Sequence, residues 1–380
     1  MRILILLLAC LMACKNNPNN GEGPLFKQTS HLEATTINDS IIWGAGIDIQ
    51  YHNGKLYILT SPAEKHITVL DTNGEKKDEY ISKGRGPNEA ISIKSFILDN
   101  DTIYISDRQT QLTKKGIIQH NQPNIELRTI SNIPLSNVLM RRDNSLLLGH
   151  VYTSSEQHLR FLWLNENSDT ISKYNEYLQQ LEKFPGVESI YGYESRTSIS
   201  PNGKYMVSGT IFGESLEIFD LCDNTIKKIH EKSYRYPRVE LKDNQIYPID
   251  GITTYGYMDI YATNTRIYTL YCGDTEGRKV NKIAVFNWQG EAETLYTVDS
   301  DFLYSICLNT EETKIYAIGL NKKRETVILS YDIPYTDQEP TSTQNIDINT
   351  TPPKPQTIDT GWQDLKFIPP SNNPLQIEFK

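Results

Sequence analysis

A polar turn followed by a short apolar run recurs six times along the chain. The copies are Asn53-Gly54-Lys55-Leu56-Tyr57-Ile58, Asn100-Asp101-Thr102-Ile103-Tyr104-Ile105, Asn144-Ser145-Leu146-Leu147-Leu148, Asn202-Gly203-Lys204-Tyr205-Met206-Val207, Asn264-Thr265-Arg266-Ile267-Tyr268-Thr269 and Glu312-Thr313-Lys314-Ile315-Tyr316-Ala317. Each run is preceded by another apolar segment, such as Ser95-Phe96-Ile97-Leu98, so each copy predicts a hairpin with a tight turn. An apolar strand running into an Asp or Asn turn then follows each copy. Val69-Leu70-Asp71-Thr72-Asn73-Gly74, Ile218-Phe219-Asp220-Leu221-Cys222-Asp223 and Val285-Phe286-Asn287-Trp288-Gln289-Gly290 are the clear cases, and Trp163-Leu164-Asn165, Leu329-Ser330-Tyr331-Asp332 and Ile118-Gln119-His120-Asn121 are weaker.

Two hairpins per repeat make four strands, and the turn residues recur 44 to 62 positions apart. Four-stranded sheets repeated around an axis are propeller blades. The pattern therefore predicts an all-β fold, a six-bladed β-propeller with four-stranded antiparallel blades over 47–81, 93–130, 138–177, 195–234, 251–298 and 299–334. A β-sandwich pair or a β-helix is the alternative, but neither requires one signature six times. Blades pack through their flat sides, which explains continuous apolar runs such as Leu56-Tyr57-Ile58-Leu59. A ring must close, because open sheet edges invite aggregation. The extended segment 26–37 is expected to supply the missing outer strand of the last blade.

The first fourteen residues follow a different logic. Arg2 is followed by an apolar run from Ile3 to Met12, then Ala13 and Cys14. That is the layout of a secretory signal, and the run is shorter than the roughly 20 residues of a membrane-spanning helix. Leu11-Met12-Ala13-Cys14 resembles a bacterial lipobox, in which Cys14 is the lipidation site and the mature N-terminus. Cys10 competes as the acylated residue, and Cys14 is preferred because the polar Lys15-Asn16-Asn17-Pro18-Asn19-Asn20 follows it. Such composition cannot bury enough apolar surface to fold. The expected organisation is a signal peptide over 1–13, a tether over 14–24, the propeller over 25–334 and a loosely packed C-terminal tail over 335–380.

Between the first two blades lies Ser82-Lys83-Gly84-Arg85-Gly86-Pro87-Asn88-Glu89. With the lipobox and the blade number, this segment resembles the TolB-like six-bladed propeller lipoproteins of Bacteroidetes-type bacteria, where a Gly-x-Gly-Pro-x-Glu segment follows the first blade. Gly84, Arg85, Gly86, Pro87 and Glu89 match it. The resemblance implies the fold and a cell-envelope setting, expected to be the outer membrane, with the periplasmic or surface face left open. It brings no catalytic residues with it.

Two readings of this segment stand. It is a corner fixing one blade to the next, or Arg85 and Glu89 reach a ligand at the mouth of the central channel. Two further connections are long and aromatic, one carrying Tyr191 and Tyr193, the other Tyr236 and Arg238. Tyr and Arg are enriched at binding hot spots, while Tyr also serves as an amphipathic packing residue between blades.

Composition narrows the partners. A formal net charge of −9 argues against nucleic acid. The seven histidines are scattered singly, without His-x-His or His-Glu-x-x-His spacing. A zinc site assembled from separate blades is the minority reading. Asp71-Thr72-Asn73-Gly74-Glu75 has its Gly at the wrong offset for a calcium loop and reads as a hairpin turn. Cys222, Cys272 and Cys307 are widely spaced, and read as small buried hydrophobes in preference to a bridge. No metal and no cofactor is expected. The functional expectation is a lipid-anchored envelope module that binds or scaffolds an envelope protein or a glycan. The alternative is an envelope hydrolase or lyase with a metal or carboxylate site in the central channel.

Overall fold

The computed structural model describes residues 22–40, 45–61, 64–119, 125–131, 135–140, 145–151, 159–165, 169–174, 191–243 and 245–334. The expected lipidation site Cys14, the expected signal peptide, most of the expected tether and the tail 335–380 lie outside these residues. Six antiparallel sheets follow one another along the chain, with bounds 45–90, 93–131, 135–174, 195–235, 257–298 and 303–332. Their innermost strands are Ala45–His52, Ile93–Asp99, Leu135–Met140, Ser195–Ile199, Tyr257–Ala262 and Leu303–Leu308. Each inner strand touches that of the next blade, and the sixth touches the first. The architecture is a closed six-bladed propeller.

The repeated turns fold as their residues require. Asn53 and Gly54 both take positive φ, 48° and 74°, between His52 and its partner Lys55. That is the backbone of a two-residue hairpin turn, which Asn-Gly adopts at least cost. In the Asp71–Glu75 turn, Asp71 Oδ1 accepts hydrogen bonds from the amides of Asn73 and Glu75 at 3.0 and 2.9 Å. The carboxylate is spent inside the turn, as a hairpin reading demands.

Blades are held to their neighbours by apolar clusters. Leu59, Ile67, Phe96 and Ile105 join the first two blades. Phe161, Trp163, Met206 and Phe219 join the third and fourth, and Leu270, Val285, Leu303 and Leu329 join the fifth and sixth. Each fully buried side chain of this size contributes about 1.5–3 kcal/mol. Cys272 and Cys307 are buried free thiols and Cys222 is a half-buried one, so all three are unbridged.

Closure divides the N-terminal segment between two blades. Thr35–Asn38 pairs antiparallel with Thr326–Asp332 and is the fourth, outer strand of blade six. Gln28–Leu32 instead lies parallel to Ala292–Val298 and gives blade five a fifth strand. A parallel pair cannot be read from a hairpin pattern, because it leaves no turn between its strands. A two-stranded hairpin, Val239–Lys242 with Gln245–Pro248, projects from the connection between blades four and five.

Candidate functional site

The central channel holds a cavity of about 560 Å³ lined by the inner strands of blades one, two, four, five and six. Four of these strands carry a β-bulge at one level, between Gly46 and Asp48, Ile93 and Ser95, Tyr257 and Asp259, and Leu303 and Ser305. A bulge leaves an extra residue unpaired and re-aims the side chains beside it. Those extra residues, Ile47, Lys94, Met258 and Tyr304, all line the cavity. The position four residues before the last hairpin pair is Asp48, Ser95, Arg196, Asp259 and Ser305 in these five blades. The repeat thus places a polar ring inside an apolar fold.

Part of this ring is structural. Neighbouring inner strands are stitched by side chains: Gln50 Nε2 donates to the Phe96 carbonyl at 2.6 Å, and Gln50 Oε1 accepts from the Leu98 amide at 3.2 Å. Ser198 Oγ accepts from the Ala262 amide at 3.0 Å, and Arg196 Nε donates to the Met258 carbonyl at 3.1 Å. Asp259 Oδ2 accepts from the Ile306 amide at 2.9 Å.

The rest is a carboxyl–hydroxyl cluster shared by three blades. Ser305 Oγ stands 3.3 Å from Asp48 Oδ1 and 2.8 Å from Asp259 Oδ2. A hydroxyl carries one proton, so both contacts are hydrogen bonds only when a carboxyl supplies a second. Burial, followed by the charge of Asp259, pushes Asp48 up to about 7. Burial also raises Asp259, opposed by the Ile306 amide, the Ser305 hydroxyl and the Arg196 charge. The pair therefore takes up a proton well above the ordinary carboxylate range. On the other wall, burial pulls Lys94 below the usual lysine range, with Arg196 and Arg108 adding to the fall and Glu194 opposing it.

The residues singled out from sequence fall in two places. Arg85 is exposed and is not among the cavity-lining residues. Glu89 folds back on its own loop: its Oε2 accepts from the Gly86 amide at 2.7 Å, and a Cβ on Gly84 would stand 2.0 Å from that oxygen. Lys114 Nζ holds the Glu89 carbonyl at 2.8 Å, and Asn88 Oδ1 accepts from the Leu127 amide of blade two at 3.0 Å. This segment is a corner that ties blade one to the outer strand of blade two.

Tyr191, Tyr193 and Tyr236 come together at the projecting hairpin. Tyr193 is buried with Ile246, and Tyr236 and Val239 pack against them. Tyr236 donates to Glu231 Oε1 at 3.1 Å. Tyr191 remains exposed, its ring 5.3 Å from Phe212 and 6.2 Å from Tyr247, and it feels the charges of Glu194 and Arg196. Arg238 is half-buried and its carbonyl accepts from the Ile249 amide at 3.0 Å and from Thr253 Oγ1.

The channel residues Asp48, Lys94, Arg196, Asp259 and Ser305 belong to no local sequence motif. Their only trace is a polar residue inside an apolar strand, as in Ile47-Asp48-Ile49 and Met258-Asp259-Ile260. Among the described residues no group of three or more His, Cys, Asp or Glu is arranged to hold a metal ion.

A closed ring of six small antiparallel sheets around a polar channel defines a propeller. The family model described as TolB-like 6-blade propeller-like matches residues 47–309, and the chain belongs to that family. Three solved structures share the fold. A protein from Bacteroides fragilis described as exported aligns at 15% identity and TM-score 0.55, over 81% of this chain and 99% of its own. A luciferin-regenerating enzyme aligns at 8% identity and TM-score 0.51, over 80% and 96%. A duf4221-family protein from Bacteroides vulgatus aligns at 12% identity and TM-score 0.51, over 80% and 96%. At these identities the likeness is one of fold. No curated protein matches the sequence.

Proposed function

We propose that this chain is a lipid-anchored binding module of the bacterial envelope, tethered through Cys14 to the outer membrane, with its ligand seated in the central channel. The observation that carries this reading is the ring of polar side chains around a cavity of about 560 Å³, a volume suited to a small ligand or the end of a glycan chain. The exposed ring of Tyr191, on the shelf where Tyr193 and Tyr236 pack and with Arg238 nearby in the chain, offers a flat face suited to a sugar. The exported Bacteroides protein of the same fold supports the envelope setting. Arg85 and Glu89 act in this reading as the corner between blades and not as ligand contacts.

A glycan array probed with the purified chain tests the proposal. Binding that is lost in Asp259→Asn and Tyr191→Ala supports it. Binding indifferent to both, or captured only through the outer faces of the blades, overturns it. The proton-sharing pair favours a second reading, an envelope hydrolase or lyase using Asp48 and Asp259. Product analysis after prolonged incubation with each bound glycan separates the two, because a pure binding module returns the glycan intact.

A further inference from the structure

The two walls of the channel differ in what they have left to offer. On the Asp48–Asp259 side, hydrogen bonds to Ser305, Gln50 and Ile306 occupy the carboxylates. On the opposite side, blades two and four present donors whose hydrogen-bonding capacity is only partly used. Lys94 lines the cavity from the bulge between Ile93 and Ser95 and has no ion pair or hydrogen bond among the described residues. Arg196 uses Nε on the Met258 carbonyl, and its terminal nitrogens hold no carboxylate within ion-pair distance among the described residues. The hydroxyl of Thr197, next in the strand and also in the lining, is buried without a partner among the described residues.

Around Lys94 itself the neighbouring charges are mostly positive. Arg196 and the exposed Arg108 both sit within electrostatic reach of Lys94, with Glu194 as the nearby anion, and Arg196 also reaches Asp259. Unpaired cations in a partly dry cavity are costly, and a bound anion relieves both the repulsion and the unmet donors. Charge-assisted hydrogen bonds of this kind are about twice as strong as neutral ones. Tyr304, exposed beside the same cavity with Phe302 packed on it at 5.0 Å, adds an aromatic face.

Resting on the channel-binding reading, we propose that the ligand is an acidic saccharide whose anionic substituent is held by Lys94, Arg196 and the hydroxyl of Thr197. The shared chemistry is an oxyanion on a sugar, a uronate carboxylate or a sulfate ester.

Isothermal titration of the purified chain tests this with a galacturonic acid trisaccharide, its methyl ester and a sulfated disaccharide. The expected result is that the acid or the sulfate binds, that methyl esterification of the acid weakens any binding of that ligand about tenfold or more, and that affinity falls as salt rises. Lys94→Gln, which removes no bond within the described fold, is expected to weaken the acidic ligand by about tenfold with an unchanged melting temperature, and Lys94→Arg to restore most of it. Arg196→Gln is the second variant, read against its own melting temperature because of its bond to Met258. The preference between acid and sulfate identifies the source of the oxyanion. Equal binding of acid and ester with loss in Asp259→Asn overturns this inference while leaving channel binding standing. Binding of no acidic ligand, or binding unchanged in Lys94→Gln, overturns it outright.

Discussion

Asp48 of blade one and Asp259 of blade five meet across the hydroxyl of Ser305 in blade six, at 3.3 and 2.8 Å. Three blades thus converge on one proton. Because Asp48 is pushed up to about 7 from an ordinary 3.8, the native state holds a proton that the unfolded chain has released. Stability is then greatest below about pH 4 as far as this group is concerned. It falls as pH rises from 4 to 7, by at most about 1.4 kcal/mol per pH unit, and levels off above 7. Asn at position 48 mimics the protonated acid and can donate to Ser305. Asp48→Asn is therefore expected to be more stable than the parent above pH 7 and to lose this pH dependence. Urea unfolding at pH 5 and pH 8 checks it, and a parent that gains stability between those values through Asp48 contradicts it.

Arg160 of blade three and Glu217 of blade four form an ion pair with both side chains almost fully buried. Arg160 also donates to Ser208 Oγ at 3.1 Å, and its guanidinium lies 5.0 Å from the centre of the Phe161 ring. Lys228 adds a second cation to Glu217 at 3.4 Å. Removing one partner strands a charge in a dry interface, which costs about 3–5 kcal/mol. Arg160→Met is expected to fall in that range. The double variant Arg160→Met with Glu217→Leu is expected to recover much of the loss. Denaturant titration of the two singles and the double measures the coupling, and additive losses would contradict the pairing.

The turns, the six-fold repeat and the need for a closing strand were legible in the sequence because each has a local cause. Asn53-Gly54 favours positive φ at adjacent positions, and the apolar runs follow at fixed distance. The channel was not legible, because its residues are separated by 46 to 102 positions between Asp48, Lys94, Arg196 and Asp259 and meet only when the ring closes. The bulges were hidden as well. They fall on Ile47, Lys94, Met258 and Tyr304, none of which marks an irregular backbone as a glycine does. The Gly84–Glu89 segment shows the converse: a glycine-rich motif prominent in sequence is used up in fixing a corner.

Gly74 locks the closing strand to blade one. Its φ is +88°, and a Cβ there would stand 1.8 Å from the Ile37 carbonyl oxygen. Asn38 Nδ2 in turn donates to the Gly74 carbonyl at 2.8 Å. Gly74→Ala combines an unfavourable backbone conformation, worth about 1–3 kcal/mol, with a contact that only backbone movement relieves. The loss is expected to concentrate at the seam between blades six and one. Hydrogen exchange should show faster opening at Thr35–Asn38 and unchanged protection in blade four. Uniform loss of protection across all blades would contradict a local seam.

The two N-terminal strands play unequal parts in closure, and truncation separates them. Removing residues 1–33 deletes the extra parallel strand Gln28–Leu32 with the contacts of Phe26 to Tyr271 and Phe286. Blade five keeps four antiparallel strands without it. Removing residues 1–38 also takes Thr35–Asn38, leaves blade six with three strands, and bares the edge of Thr326–Asp332, whose interior residues Val327 to Tyr331 are all buried. An unpaired apolar edge is a template for pairing with another chain. The shorter deletion is therefore expected to lower the melting temperature without adding any concentration-dependent association. The longer one is expected to lower it further and to produce concentration-dependent association by light scattering. Equal behaviour of the two truncations would mean that the pairing at Thr35–Asn38 does not close the ring.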